Sequence, residues 1–375
     1  EMLRSLVGSE MCIRDRPGHG EDAEEEDVTD TPPSGRSKPS MADVAAHAGV
    51  ALGTVSNTLN NPEKVREATR RKVLSSIAEL GFVRNDAARS LAAGNSTSVG
   101  LVLADLGNSF FVDIARGAER ALRRHKMDVL IVNSDVDPDR EVHNLELLDR
   151  SRVAGIILAP LDTALAKSPH PENRTTPTVL VNFESPSLAY PGVTVDERHG
   201  GALAASHLIA LGRRRLLFVG GPRFLTAVNQ RWEGAEQATA AHPEATIEIL
   251  ETRGVNIRHG RDAGRQILAR GAGTYDAIVA ASDLVAIGLI QILNEVPGFS
   301  VPGDIAITGY DNNHFASESA IPISTVSQPG EEMGAVAADL LLERIAHPGA
   351  RARSVTLEPR LLPRTSTLGE MWRRD

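Results

Sequence analysis

Apolar positions along this chain follow two rhythms, and the change between them falls near residue 97. Between Pro39 and Gly81 they recur at helical spacing. Ser40 is placed to cap a first helix in which Val44, Ala45 and Ala48 share one face, and Gly49 suits the sharp turn that ends it. Val50 leads into a second helix, Leu52 to Leu59, with Val55 and Leu59 turned inward. A third helix, Glu67 to Leu80, carries Val73, Leu74, Ile77 and Leu80 as its stripe and closes at Gly81. Beyond residue 97, apolar runs alternate with helical stretches. The runs cover residues 99–105, 128–134, 153–160, 178–183, 215–221, 245–250, 276–282 and 304–311. Near-continuous strands separated by helices predict parallel sheets covered on both faces.

The second helix has an unusual outer side. With Val55 and Leu59 inward, helical steps put Gly53, Asn57 and Asn60 outward and Thr54 and Ser56 on the flanks. A merely solvated face normally carries Lys or Glu. Short, uncharged hydrogen-bonding groups suit a helix that reads base edges in a groove. Three such helices make a helix-turn-helix unit, whose second helix enters the major groove of DNA. Asn85 to Ala93 follows as a helical stretch too short to be stable alone. It reads either as an interdomain linker or as a segment that orders when two copies meet on DNA.

Charge agrees with that division. The chain of 375 residues carries a net charge of −9, unevenly spread. Residues 17–33 hold seven acids and no Lys or Arg, whereas residues 34–97 hold nine Lys/Arg against five acids. A basic head on an acidic body suits a polyanion touched by the head alone. The acidic tract Glu21 to Asp30 reads as a disordered extension. Residues 1–16 resemble translated adapter sequence and are left out of the fold reading. Cys12, the single cysteine, excludes an internal disulfide. Neither a signal peptide nor an apolar run of roughly 20 residues is evident, so a cytoplasmic protein without a membrane partner is expected. Eleven histidines show no metal-binding spacing, and no Walker loop or G-x-G-x-x-G occurs. His207 and His314 read as solvated or satisfied. No enzyme activity, metal or cofactor is expected.

The motifs DVAAHAGV, TVSNTLN, VREATRRKVLSSIAELGF, RNDAARSLAAG, GYD and STVSQP occur in that order between Ser40 and Leu368. In that order they resemble the lactose-repressor (LacI/GalR) family of bacterial transcription regulators. The resemblance implies a sequence-specific regulator, in the usual mode a repressor, bound to a pseudo-palindromic operator as a homodimer. It gives base reading to Leu52, Gly53 and Asn57. Periodicity alone nominates Gly53 and Asn57 and leaves Leu52 near the buried side. Thr54, Ser56, Asn60 and Asn85 would contact phosphates, while Ala88, Arg89 and Leu91 would sit in the minor groove with Leu91 as a wedge. Ala51 and Arg84 stand where the family usually has Ser and Pro.

The implied fold is an all-α helix-turn-helix head on an α/β body of the type I periplasmic-binding-protein-like kind, with two parallel-sheet lobes. The expected divisions are a tail to residue 39, a head over 40–84, a hinge over 85–97 and a body over 98–370. Within the body the chain is expected to cross between lobes near Asp196, Ser327 and Ala350. Ligands in such folds bind beyond the carboxyl ends of strands, here between the lobes. That nominates Asn108, Phe110, Phe111, Asn182, Phe183, Asn229, Arg231, Ser282 and Asp311 for a small-molecule effector, sugar-like or a nucleoside. Either Phe110 or Phe111 could instead belong to the core. Asp283 reads as a helix cap and Tyr310 as packing. Leu225 and Ala227 stand where purine-binding relatives have polar groups. The rival class is a free solute-binding receptor, which the head argues against.

Overall fold

The computed structural model describes residues 39–83, 96–161, 176–183, 190–271 and 273–371. The chain divides into two units, residues 1–85 and 86–375. In the first, α1 (Met41–Ala48) begins in a reciprocal capping box: Ser40 Oγ accepts from Asp43 N–H, and the Asp43 carboxylate accepts from Ser40 N–H. Gly49 ends it at φ 61°, a left-handed conformation that glycine adopts without steric cost. Helix α2 (Leu52–Asn60) runs one residue further than expected and has no side-chain cap, as Ala51 cannot supply one. Helix α3 (Glu67–Leu80) ends at Gly81 in the same left-handed manner.

Val44, Ala45, Ala48, Val55 and Val73 form the core of this unit, with Leu59, Ile77 and Leu80 packed around it. Full burial of each valine contributes about 1.5–3 kcal/mol. Two expected core positions differ. Leu74 is 48% exposed, and Ser76 takes the buried place beside Val73 by donating to Lys72 O. Leu52 is 50% exposed rather than near the buried side, because the inner face of α2 is built from Val55 and Thr58. Thr58 is tolerated there because its hydroxyl donates to Thr54 O.

The second unit alternates strand and helix: β1 (Ser98–Leu103), α4 (Ser109–Arg123), β2 (Asp128–Asn133), α5 (Pro138–Arg150), β3 (Gly155–Leu158), β4 (Thr178–Val181) and β5 (Gly192–Val195). The chain continues through α6 (Glu197–Ala210), β6 (Arg215–Gly220), α7 (Thr226–Ala240), β7 (Thr246–Glu251), α8 (Ile257–Arg270), β8 (Ala277–Ala280), α9 (Asp283–Leu293) and β9 (Ala306–Asp311). It ends with α10 (His314–Glu318), β10 (Ser324–Ser327), α11 (Gly330–Ala346), β11 (Ser354–Leu357), β12 (Arg360–Leu362) and α12 (Thr365–Leu368). One sheet has the order β11-β5-β4-β3-β1-β2 and is wholly parallel; the other, β12-β10-β9-β8-β6-β7, is parallel apart from β12. Each is the centre of a lobe.

One crossing between lobes corrects the sequence reading. The chain does not leave the first lobe at Ala350: β11 pairs with β5, Ser354 opposite Gly192, so the crossing falls between Leu357 and Arg360. Three helix pairs on the sheet faces approach through reciprocal glycines. A Cβ on Gly234 of α7 would stand 1.9 Å from Arg198 O on α6, and one on Gly201 of α6 would stand 2.0 Å from Arg231 O on α7. Gly117 and Gly334 do the same for α4 and α11, and Gly260 and Gly288 for α8 and α9. Among the described residues no helix is long and apolar enough to cross a membrane.

Candidate functional site

Two faces bear on function, one on each unit. On the head, α2 presents Leu52, Gly53 and Asn57 to solvent, with nothing within 4 Å of where a Gly53 side chain would begin. Thr54 and Ser56 flank this row half-buried, and Asn60 Nδ2 donates to Ser56 Oγ at 3.3 Å. The exposed surface of the helix therefore carries no charge. Asn85, Ala88, Arg89 and Leu91 lie outside the described residues.

On the body, a cavity of about 140 Å³ lies between the lobes at the carboxyl ends of their strands. Asn108, Phe110, Phe111, Asn182 and Phe183 line it from the first lobe, and Arg231, Ser282 and Asp311 from the second. The helix starts that follow each parallel strand converge here, which is why residues distant in sequence meet. Phe110 resolves toward the core, 3% exposed, with Phe111 tilted against it at a ring separation of 5.3 Å. Leu225, Ala227 and Val228 make an apolar wall opposite. Asn182, at φ 58°, keeps its buried amide oxygen without a hydrogen-bond partner.

Asn229 does not join this group. Its amide accepts from Arg223 and donates to Glu233 at 2.7 Å, one helical turn on, so it faces along α7 and away from the cavity. Ser282 lines the cavity, but its hydroxyl is spent: it donates to Val255 O at 2.7 Å and caps α9 by accepting from Val285 N–H. Ser282, not Asp283, is therefore the cap. Asp283 is the first residue of the helix, fully buried, accepting from Asn313 N–H at 2.6 Å. His207 meets Thr367 Oγ1 at 2.8 Å and His314 meets Asp113 at 3.0 Å, and neither lines the cavity.

The polar end of the cavity centres on Arg231 and Asp311, both buried. Arg231 lies in a bidentate pair with Glu197, Nε to Oε2 at 2.8 Å and Nη2 to Oε1 at 3.1 Å. Its Nη1 donates to Ala281 O at 2.7 Å and stands 3.4 Å from Asp311 Oδ1. The Tyr310 ring covers one face of the guanidinium at 3.7 Å. Burial works against the charge of Arg231, but Glu197 and Asp311 outweigh it and hold the guanidinium firmly protonated. Burial pushes the Asp311 carboxyl up from its usual range, and Arg231 pulls it back in part.

Asp311 also links the lobes. It accepts from Asn108 Nδ2 at 2.7 Å and from Gln328 Nε2 at 2.8 Å, and the Asn108 amide oxygen accepts from Asn313 Nδ2 at 3.1 Å. It holds φ 98°, a strained backbone for a residue with a side chain and of a kind that clusters at ligand sites. Glu197, Gln328 and Asn313 escape the sequence reading. An arginine facing an apolar pocket needs a buried carboxylate partner, and that requirement was the available signal for Glu197.

Both units have counterparts among known proteins. Residues 40–85 match the family described as bacterial regulatory proteins, lacI family, and residues 205–367 match a periplasmic binding protein-like domain. The transcriptional regulator RegA of Clostridium saccharobutylicum is 31% identical over 331 residues, covering 88% of this chain and 99% of its own. The ribose operon repressor of Escherichia coli strain K12 is 32% identical over 337 residues, covering 87% and 99%. Among solved structures, a LacI family regulator from Enterococcus faecium with bound ribose aligns at a TM-score of 0.64 and 27% identity, over 72% of this chain and 98% of that one. By its head, its body and these relatives, the chain belongs to the lacI family of bacterial regulatory proteins: a DNA-binding transcriptional regulator, neither an enzyme nor a free solute receptor.

Proposed function

We propose that this protein is a cytoplasmic repressor that binds a two-fold symmetric operator as a homodimer and is controlled by a small sugar-like ligand in the interlobe cavity. The observation that carries the reading is the uncharged outer face of α2. Leu52 offers an apolar contact for a thymine methyl, Asn57 offers a donor and an acceptor to a base edge, and Gly53 lets the backbone come close. Thr54, Ser56 and Asn60 then hold phosphates, joined by Asn85, while Ala88, Arg89 and Leu91 engage the minor groove. One head reads too few base pairs for useful specificity, so two copies on a palindrome are the economical solution. An edge strand with exposed apolar residues supports pairing of bodies: Leu130 and Ile131 of β2 are 44% and 48% exposed.

The cavity favours a sugar over a base. Asn182 presents a buried amide oxygen without a partner and Asp311 a carboxylate, acceptors suited to hydroxyl donors, while Phe111 and Phe183 offer faces for a ring. The ribose operon repressor and the ribose-bound neighbour support the same ligand class. The test is selection of duplexes from a random pool by the full chain. Enrichment of a two-fold symmetric sequence is expected, with binding that weakens steeply as salt rises. Asn57→Ala should lower affinity for the selected duplex by about 1–3 kcal/mol and relax one position in each half-site. A pool that returns no symmetric sequence overturns the reading.

A further inference from the structure

We propose that the interlobe cavity is a charge filter: Glu197 occupies its arginine, so the site admits neutral, hydroxyl-rich ligands and rejects phosphorylated or carboxylated ones. The inference rests on the reading of that cavity as the effector site and adds the ligand's charge, which family membership leaves open.

Arg231 is the one cation among the described residues that line the cavity. An arginine free to meet a ligand would recognise phosphate or carboxylate through two parallel N–H bonds. Here that fork is taken. Nε and Nη2 are turned to Glu197 and Nη1 to Ala281 O and Asp311. The Tyr310 ring covers one face, and the side chain is 7% exposed. The geometry leaves an Nη2 N–H as the remaining donor.

The other charged groups at the cavity are all carboxylates, while its neutral polar residues, Asn182, Thr194, Thr226 and Gln230 among them, carry both donors and acceptors. Asp311 and Asp105 add carboxylates, and the buried Asn182 amide oxygen is without a partner. A hydroxyl donates to such groups, whereas a phosphate dianion or a carboxylate only accepts. Helix starts could offset this, because their N–H groups attract anions. Three that open here already have an N–H taken by a side chain: Asn108 on α4, Asp196 on α6 and Ser282 on α9. The fourth, α7, has Leu225 at its cap position and no side-chain cap. Its N–H groups meet a hydroxyl oxygen as well as a phosphate oxygen, and the latter would bring like charge against Glu197 and Asp311.

The test is calorimetric titration of the full chain with matched probes: D-ribose against D-ribose 5-phosphate, D-glucose against D-glucose 6-phosphate, and inorganic phosphate. A neutral sugar is expected to bind at least about 100-fold more tightly than its phosphorylated partner, since opposing like charges costs several kcal/mol. In Glu197→Gln, which removes the opposing charge and one of the two acceptors on the fork, the gap should shrink to about tenfold or less. In Ala227→Trp, which fills the cavity, binding of the sugar should disappear. Equal or tighter binding of a phosphorylated probe by the wild type, lost in Ala227→Trp, overturns the filter and leaves the effector site standing. Sugar binding that survives Ala227→Trp overturns the effector site itself. Failure of every neutral probe to bind also counts against the filter. Should Glu197→Gln not fold, the wild-type ratio alone decides.

Discussion

Buried charge at the cavity is arranged so that no group stands alone, and each residue's role follows from its partner. Arg231 is a ligand candidate whose first task is structural, since its bidentate bond to Glu197 is buried on both sides. Truncating either partner would leave an uncompensated charge, at a cost of about 3–5 kcal/mol. Loss of ligand binding in such a variant would therefore mix two effects. Asp283 poses the opposite case. Burial, and then the nearby Asp311, push its carboxyl well above the usual range. The folded state consequently keeps this proton to higher pH than the unfolded chain does. Stability is lost as pH rises from the ordinary carboxylate range through the raised folded value. Asp283→Asn removes that titration while keeping an acceptor for Asn313 N–H. Its melting temperature should fall less than that of the wild type between about pH 5 and about pH 8, and parallel curves would contradict the assignment. At this scale the sequence was partly legible. Asp311 stood out because it ends a strand, and Arg231 because it lies beyond one, at a position where the resemblance places effector contacts. Glu197 did not, because an acid in the first turn of a helix already has a sufficient reason to be there.

Elements were most legible where their limits are local. Ser40, Gly49 and Gly81 bound their helices through caps formed by neighbouring residues, and α3 spans Glu67–Leu80 as its pattern predicts. Strands β5, β10, β11 and β12 are three or four residues long and each contains Thr, Ser or Arg, so no apolar run announced them. The crossing near Ala350 came from the resemblance, and no apolar run marked β11 to move it. Helix pairing was also illegible, because glycine within a helix reads as a weak point and not as a contact. The reciprocal glycines of α6 and α7 set where Arg231 stands relative to Glu197, as Gly201 lies against Arg231 O itself. Gly234→Ala should force the pair apart and cost about 1–3 kcal/mol, seen as a lower thermal midpoint. Gly349→Ala, where nothing lies within 4 Å, should leave the midpoint in place. Equal midpoints for both variants would remove close packing as the reason for these glycines.

The molecule as a whole joins a head that reads DNA to a body with a cavity between two lobes, and regulation requires the two to share free energy. Each unit was visible in the sequence for a different reason: the head through periodicity and an uncharged helix face, the body through strand–helix alternation. Coupling between them leaves no mark in periodicity or composition. It has to be measured, and linkage makes the measurement strict: a ligand that changes operator affinity by some factor must have its own affinity changed by the same factor. The most direct test titrates the selected duplex with the full chain, without and with a saturating neutral sugar, and then titrates the sugar with and without duplex. The account predicts that the sugar shifts operator affinity roughly 5–150-fold, that the duplex shifts sugar affinity by the same factor, and that both shifts vanish in Ala227→Trp. Operator affinity that stays the same with the cavity filled and empty would contradict it.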